Sequence, residues 1–200
     1  MFLYCSVEAL LKREKLVRTF ISRFHSSAES GYPAVFDLET NQTKELTIEG
    51  ASFTGSSYLY ADNPENYFDL EVDENGLWLI FKYKNVEHLS VARLHPKTLQ
   101  ALRVWNLTQL NARTVGNAWI TCGILYAIRS SRAQNTNMFV AYDLYRRKYA
   151  SVDMPWTNPY GNANMVSYNP IDRKIYTYDN GHLMTIPLLL SFDTDHYSIS

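Results

Sequence analysis

Four times the chain runs a short apolar strand into Asp or Pro, turns tightly and returns: "AVFDLETNQTKEL" (34–46), "VARLHPKTLQAL" (91–102), "VAYDLYRRKYASV" (140–152) and "VSYNPIDRKIYTY" (166–178). A second device, Gly ahead of an apolar run, recurs in "NGLWLIF" (75–81), "CGILYAI" (122–128) and "NGHLMTI" (180–186). From Tyr32 to Leu190 the chain reads as short β-rich runs broken by turn chemistry, with no second helix longer than three turns. Units of a few antiparallel strands recurring every ~40 to 50 residues point to propeller blades, because one small sheet cannot bury both faces without a neighbour on each side. A β-sandwich also supplies short strands but does not explain a repeating unit.

Ahead of this region, Val7 to Phe24 places Val7, Leu10, Leu11, Val17, Phe20, Ile21 and Phe24 at helical spacing with basic residues mostly elsewhere, which predicts one amphipathic helix. It packs on its own domain or serves as a surface or partner helix. The expected division is a helix and linker over 1–31, the β-region over 32–190 and a tail over 191–200. With 46% hydrophobic and 14% aromatic residues there is material for a sizeable core. A formal net charge of -1 supplies no global field toward nucleic acid or an anionic membrane, and no apolar run is long enough to span a bilayer. The start "MFLYCSVEALLKREK" lacks the layout of an export signal. Two cysteines, Cys5 and Cys122, permit one bridge or none.

"NYFDLEVDEN" (66–75) sets Asp69, Glu71 and Asp73 on alternate positions, which raises a choice between a metal site and the wet face of a strand. With "VDENGLWLIF" (72–81), "VARLHPKTLQALRVWNLT" (91–108), "VGNAWITCGILYAI" (115–128), "VAYDL" (140–144) and "MVSYNPIDRKIYTYDNGHLMTI" (165–186), the chain closely resembles the olfactomedin domain over about Tyr32 to Leu190. The resemblance implies a five-bladed β-propeller in an extracellular or cell-surface protein that binds other proteins in matrix, adhesion or signalling, with no catalytic residues. The strands that would precede the segment at 34–46 have no counterpart here, so the expectation is an all-β, partial propeller lacking its first blade. Either the basic helix plugs the gap or the chain is a truncated gene product, with membrane association only through an upstream segment.

The resemblance also implies a Ca²⁺ site in the central channel. Asp69 matches its first ligand, Asn117 its amide, Ala118 and Val166 its carbonyls, while Ser167 stands where the family has Asp, and Tyr67 occupies a position acidic in several relatives. Ca²⁺ wants six to eight oxygens and gains from each carboxylate, so one carboxylate is a weak cage. Without a metal, a buried Asp69 is expected to accept hydrogen bonds from Asn117 and Ser167. Glu71 and Asp73 read as solvated residues of a strand edge and its turn. Cys122 falls in the family's "CG" motif, whose usual partner near the domain start is absent here; a free buried thiol is favoured over a Cys5–Cys122 bridge. Asn41 in "NQT" and Asn106 in "NLT" fit the glycosylation pattern in predicted turns or strand ends.

No G-x-S-x-G, H-E-x-x-H or phosphate-cradling glycine loop occurs, and the five histidines are scattered. His182 in "DNGHL" reads as a turn residue. Asp172 and Asp179 offer a carboxylate pair for glycosidase-type chemistry, the basis of a carbohydrate-active alternative, but suit the turns "NPID" and "YDNG" more simply. Trp78, Trp105 and Trp119 read as core, and Trp156 in "MPWTNPYGN" as an exposed contact.

Overall fold

A computed structural model describes residues 2–5, 24–26, 33–37, 42–53, 58–63 and 66–192. The described chain is all-β. After β1 (Phe2–Cys5), β2 (Phe24–Ser26), β3 (Pro33–Asp37) and β4 (Gln42–Glu45) comes a four-stranded sheet of β5 (Asp69–Asp73), β6 (Gly76–Phe81), β7 (His88–Leu94) and β8 (Ala101–Asn111). A second four-stranded sheet holds β9 (Asn117–Thr121), β10 (Ile124–Ile128), β11 (Asn135–Asp143) and β12 (Lys148–Thr157). A three-stranded sheet follows, β13 (Ala163–Asn169), β14 (Lys174–Asp179) and β15 (His182–Pro187). The strands β2, β3 and β4 form another antiparallel sheet, and β1 pairs in parallel with β16 (Leu189–Phe192). The helix expected over 7–24 lies outside the described residues except at Phe24, which opens β2.

Within each antiparallel sheet the strands follow one another through hairpins whose turns are written in the sequence. Thr121 pairs with Ile124 across the two-residue turn Cys122–Gly123, and both turn residues have positive φ, 55° and 76°. Asp179 and His182 flank Asn180–Gly181 in the same way, at 46° and 90°. Two positive φ values in a two-residue loop match the twist of the flanking strands, which is why Gly precedes the runs on β10 and β15; Gly76 instead pairs with Asp73 just beyond its turn, at φ 139°.

The runs on β6 and β10 are continuous rather than alternating because the first two four-stranded sheets are covered on both faces, whereas the run on β15 is largely exposed, Leu183 at 65%. All of β6 is buried. Its Trp78 and Ile80 pack with Leu89, Val91, Trp105 and Leu107 against Ala118, Ile120, Leu125 and Ala127 of the second sheet. Its Leu77, Leu79 and Phe81 pack on the opposite face with Leu46, Ala51 and Phe53. The far face of the second sheet sends Trp119, Tyr126 and Ile128 against Val166, Tyr168 and Ile175 of the third. Trp156 belongs to this last layer. It is 7% exposed, lies 5.2 Å from the Trp119 ring and donates its indole N–H to Asn158 Oδ1 at 2.8 Å, so it is a core residue and not an exposed contact. The loop-like composition around it hid a position at the end of β12 whose ring meets Trp119 on β9, the other edge strand of the same sheet.

The sheets fan rather than stack. Stacked sheets lie ~10 Å apart, so in a flat pile the first sheet could not touch the third across the second. Yet β5, β9 and β13, one edge strand from each sheet, all contact one another. The three sheets therefore converge along one edge, the arrangement of a partial propeller, with β5, β9 and β13 innermost.

Gly116, just ahead of β9, makes the close approach that keeps this geometry: its N–H bonds the Ile128 carbonyl at 2.8 Å, and an added Cβ would sit 2.5 Å from Ser130 Cα and Ser131 N. Because both obstacles are backbone, Gly116→Ala should cost about 2 kcal/mol by overpacking. Urea unfolding followed by tryptophan fluorescence would measure this, and a loss under a few tenths of that size would refute the close contact.

Candidate functional site: acidic residues at the convergence of the inner strands

Strand β5 carries the acidic run into the convergence. Period-two alternation puts Asp69, Glu71 and Asp73 on one side of it. That side is dry: Glu71, Asp73 and the adjoining Glu74 are each 1% exposed, and Asp69 is partly buried. The expectation of solvated Glu71 and Asp73 is thus corrected. A face turned toward neighbouring inner strands alternates in sequence just as a face turned toward water does.

Asp73 is the most completely bonded of the four. Its Oδ1 accepts from Asn75 N at 2.7 Å, Gly76 N at 3.2 Å and the Trp78 indole at 2.7 Å, and its Oδ2 from Gly123 N at 2.6 Å. The last bond crosses to the β9–β10 turn of the next sheet. Glu74 accepts from the Tyr168 hydroxyl at 2.5 Å and lies 3.5 Å from Cys122 Sγ, so it touches both other sheets. Cys122 is disulfide-bonded, and no free cysteine occurs among the described residues. The free thiol favoured for Cys122 is corrected accordingly: the sulfur has no proton to donate, and its approach to Glu74 is a polar contact. The chain contains one other cysteine, Cys5.

Asp69 accepts a hydrogen bond from the Tyr60 hydroxyl at 3.0 Å. The expected donors are engaged elsewhere. Asn117 gives its amide to the Ala163 carbonyl at 3.3 Å and takes the Ala118 N–H at 2.8 Å, so it fastens the start of β9 to the start of β13. Ser167 directly precedes Tyr168, whose N–H bonds Glu71, and its hydroxyl favours the Glu71 charge. Glu71 accepts one long bond, from Tyr168 N at 3.4 Å, and the Ser167 hydroxyl and the Ile120 backbone are near enough to favour its charge. Its Oε1 has no hydrogen-bond partner among the described residues.

Burial raises the pKa values of all four carboxyls. Desolvation lifts Asp69 to about 7 against the Tyr60 hydrogen bond, and lifts Glu71 well above the usual carboxylate range with help from the charge of Asp69. Desolvation also raises Asp73 and Glu74, where bonds from Trp78 and Tyr168 respectively oppose it. Tyr60, buried beside Asp69 and Glu71, is pushed up by burial and then by both charges.

The donor set suits a hard cation in kind. Two carboxylates, Asp69 and Glu71, lie on one strand, with the Ser167 hydroxyl against Glu71. Because β5, β9 and β13 are edge strands of their sheets, alternate backbone groups, including carbonyls along Ala118 and Val166, are left over by the ladders. The orphaned Glu71 Oε1 is an acceptor that a cation would satisfy. Among the described residues no three His, Cys, Asp or Glu side chains gather as a metal centre, so the set rests on a pair of carboxylates plus neutral oxygens. Sequence reasoning missed Glu71. The available signal was its period-two partnership with Asp69.

The remaining predicted positions lie away from the convergence. Asn106 is exposed in the middle of edge strand β8, not at a strand end, and its Oδ1 accepts from Ser90 at 3.1 Å. Asn41 lies outside the described residues. His182 sits in its turn, stacked on Tyr160 at 3.6 Å. Asp179 caps the turn at Tyr160 N and Asn162 N, at 2.8 and 2.6 Å, while Asp172 takes the Tyr176 hydroxyl at 2.5 Å. They flank the extended β14, whose ~3.3 Å rise per residue puts them roughly 20 Å apart, too far for a glycosidase pair.

Sheets fanned about converging inner strands, with carboxylates buried at the convergence, define a propeller-type all-β domain. The chain belongs to the olfactomedin-like domain family, whose pattern matches residues 22–192. It is similar to myocilins: 33% identical to that of Felis catus over 172 residues, covering 85% of this chain and 35% of that protein. It is likewise 33% identical to the myocilin of Rattus norvegicus, covering 85% of this chain and 34% of that protein, and 31% identical to that of Homo sapiens with the same two shares. The chain spans about a third of the length of these relatives.

Two outcomes follow. Asp73→Ala strands the buried Trp78 and Gly123 donors and should cost about 3 kcal/mol in chemical denaturation. The folded chain holds the Asp69 proton up to about pH 7, whereas the unfolded chain releases it near 3.8. Between those values the folded state binds more protons, so stability is greatest at the acid end and is lost as pH rises toward 7. Thermal melts in chelator should therefore show a midpoint that falls from pH 5 to pH 8, with a shallower fall in Asp69→Asn.

Proposed function

We propose that this chain is an extracellular or cell-surface protein-interaction module of the olfactomedin type, acting in matrix, adhesion or signalling, with a Ca²⁺ ion at the convergence of its inner strands. Membership of the olfactomedin-like family over 22–192 is the observation that carries this reading. The disulfide at Cys122 supports the compartment, since structural disulfides persist in oxidising environments. Asn106 in "NLT", exposed on an edge strand, is a reachable acceptor for a glycan in that setting. Asp69 and its neighbours would hold the ion, which would supply positive charge where burial otherwise disfavours carboxylate ionisation. We assign it a structural role. Five blades complete the architecture in this reading, and no residue is given a catalytic role. Among the described residues no helix is long and apolar enough to cross a membrane, and membrane association would come through a segment outside the domain.

The reading is tested on cultured cells with purified, disulfide-intact protein. Saturable binding that disappears after mild protease treatment of the cell surface is expected. Binding that survives protease but is lost after glycosidase treatment would replace a protein partner with a carbohydrate one, and turnover of glycans would restore the enzymatic alternative.

A further inference from the structure

We propose that Glu71 is the second carboxylate ligand of the inner-strand cation site, presented with Asp69 from the same strand, and that Ser167 serves mainly to position Glu71. This rests on the cation reading above and deepens it by assigning a ligand that neither family pattern nor spacing supplied.

Residues two apart on a strand project from the same face, roughly 7 Å apart at the backbone, and the additional methylene of Glu lets the two carboxylates converge on one point. Glu71 is 1% exposed. Its Oε2 accepts a long bond from Tyr168 N, the Ser167 hydroxyl and the Ile120 backbone lie near enough to favour its charge, and its Oε1 has no hydrogen-bond partner among the described residues. A buried carboxylate oxygen left unpaired is costly, and the cost is not explained by packing, since a Leu or Met would fill similar space without it. Asp73, by contrast, is fully engaged by backbone and indole donors two residues further on and has nothing left to offer an ion. Glu71 is the acidic side chain at the convergence with an unused oxygen.

The geometry also explains how a site can work with Ser167 where the olfactomedin pattern carries Asp. A neutral hydroxyl contributes little to Ca²⁺, but against Glu71 it orients a longer carboxylate arriving from the adjacent inner strand. The negative charge has moved from β13 to β5 while the point it serves stays between them.

Isothermal titration with Ca²⁺ at neutral pH, on wild type, Asp69→Asn, Glu71→Gln, Glu71→Ala and the double variant Glu71→Ala/Ser167→Asp, tests this. Wild type should bind one Ca²⁺, Glu71→Gln should weaken binding at least tenfold, and the double variant should regain a large part of the loss. In chelator, Glu71→Gln should melt at or above wild type, because it replaces a carboxyl whose burial beside Asp69 is costly; a residue with a purely structural role would melt lower. Equal affinity in wild type and Glu71→Gln, with binding lost in Asp69→Asn, would overturn the assignment and leave the cation reading standing. Absence of both binding heat and a Ca²⁺-dependent melting shift in wild type would overturn both. A double variant no better than Glu71→Ala alone would refute the claim that positions 71 and 167 address one point.

Discussion

The bond from Gly123 N–H to Asp73 Oδ2 is short, buried and made between two sheets, and the rest of the inner geometry is arranged around it. Asp73 closes the β5–β6 turn on one side with Asn75, Gly76 and Trp78, and on the other side grips the β9–β10 turn. An aspartate satisfied by that many donors is tolerable in a dry site because its charge is spread over hydrogen bonds rather than left to a poor dielectric. Once two sheets are fixed at this corner, Glu74 can reach Tyr168 and Glu71 the Tyr168 N–H, both on the third. One short acidic hairpin thus holds three sheets, and the apolar layers between them, led by Trp78 and Trp119, fill in behind.

Much of this was legible. Turn residues and continuous apolar runs such as "GLWLIF" announce hairpins inside sheets covered on both faces, and β6 is buried throughout. The repeats themselves were harder to place. The segments at 91–102 and 140–152 join the third and fourth strands of their sheets, but 166–178 joins the first and second of its own. Similar turn chemistry serves any tight hairpin, so likeness of hairpins does not establish their rank within a blade. The acidic face was misjudged for a related reason. Alternation tells how many faces a strand has and not which of them meets water, so Glu71 and Asp73 read as wet when they are among the driest acids of the described residues. Asn117 was recognised, yet the acceptor of its amide was not: the Ala163 carbonyl lies on β13, 46 residues on, and a hydrogen bond at that range follows from the fan and not from local spacing.

The turn Cys122–Gly123 links redox chemistry to this corner. Cys122 takes a positive φ that a residue with a side chain seldom adopts, Gly123 offers its N–H to Asp73, and a Cβ on Gly123 would collide with the Tyr145 ring at 2.5 Å. Three constraints therefore meet in two residues: a strained backbone, an obligatory glycine and a disulfide. Such a turn persists only where its surroundings over-determine it. The disulfide helps to do so from one side and the Asp73 carboxylate from the other, so the covalent link and the acidic hairpin support the same short segment. Chain-entropy arguments would credit the disulfide with closing a loop in the unfolded state. At this position it has a second role in the folded state, keeping the Gly123 N–H directed at the one carboxylate from which the convergence of the inner strands is built.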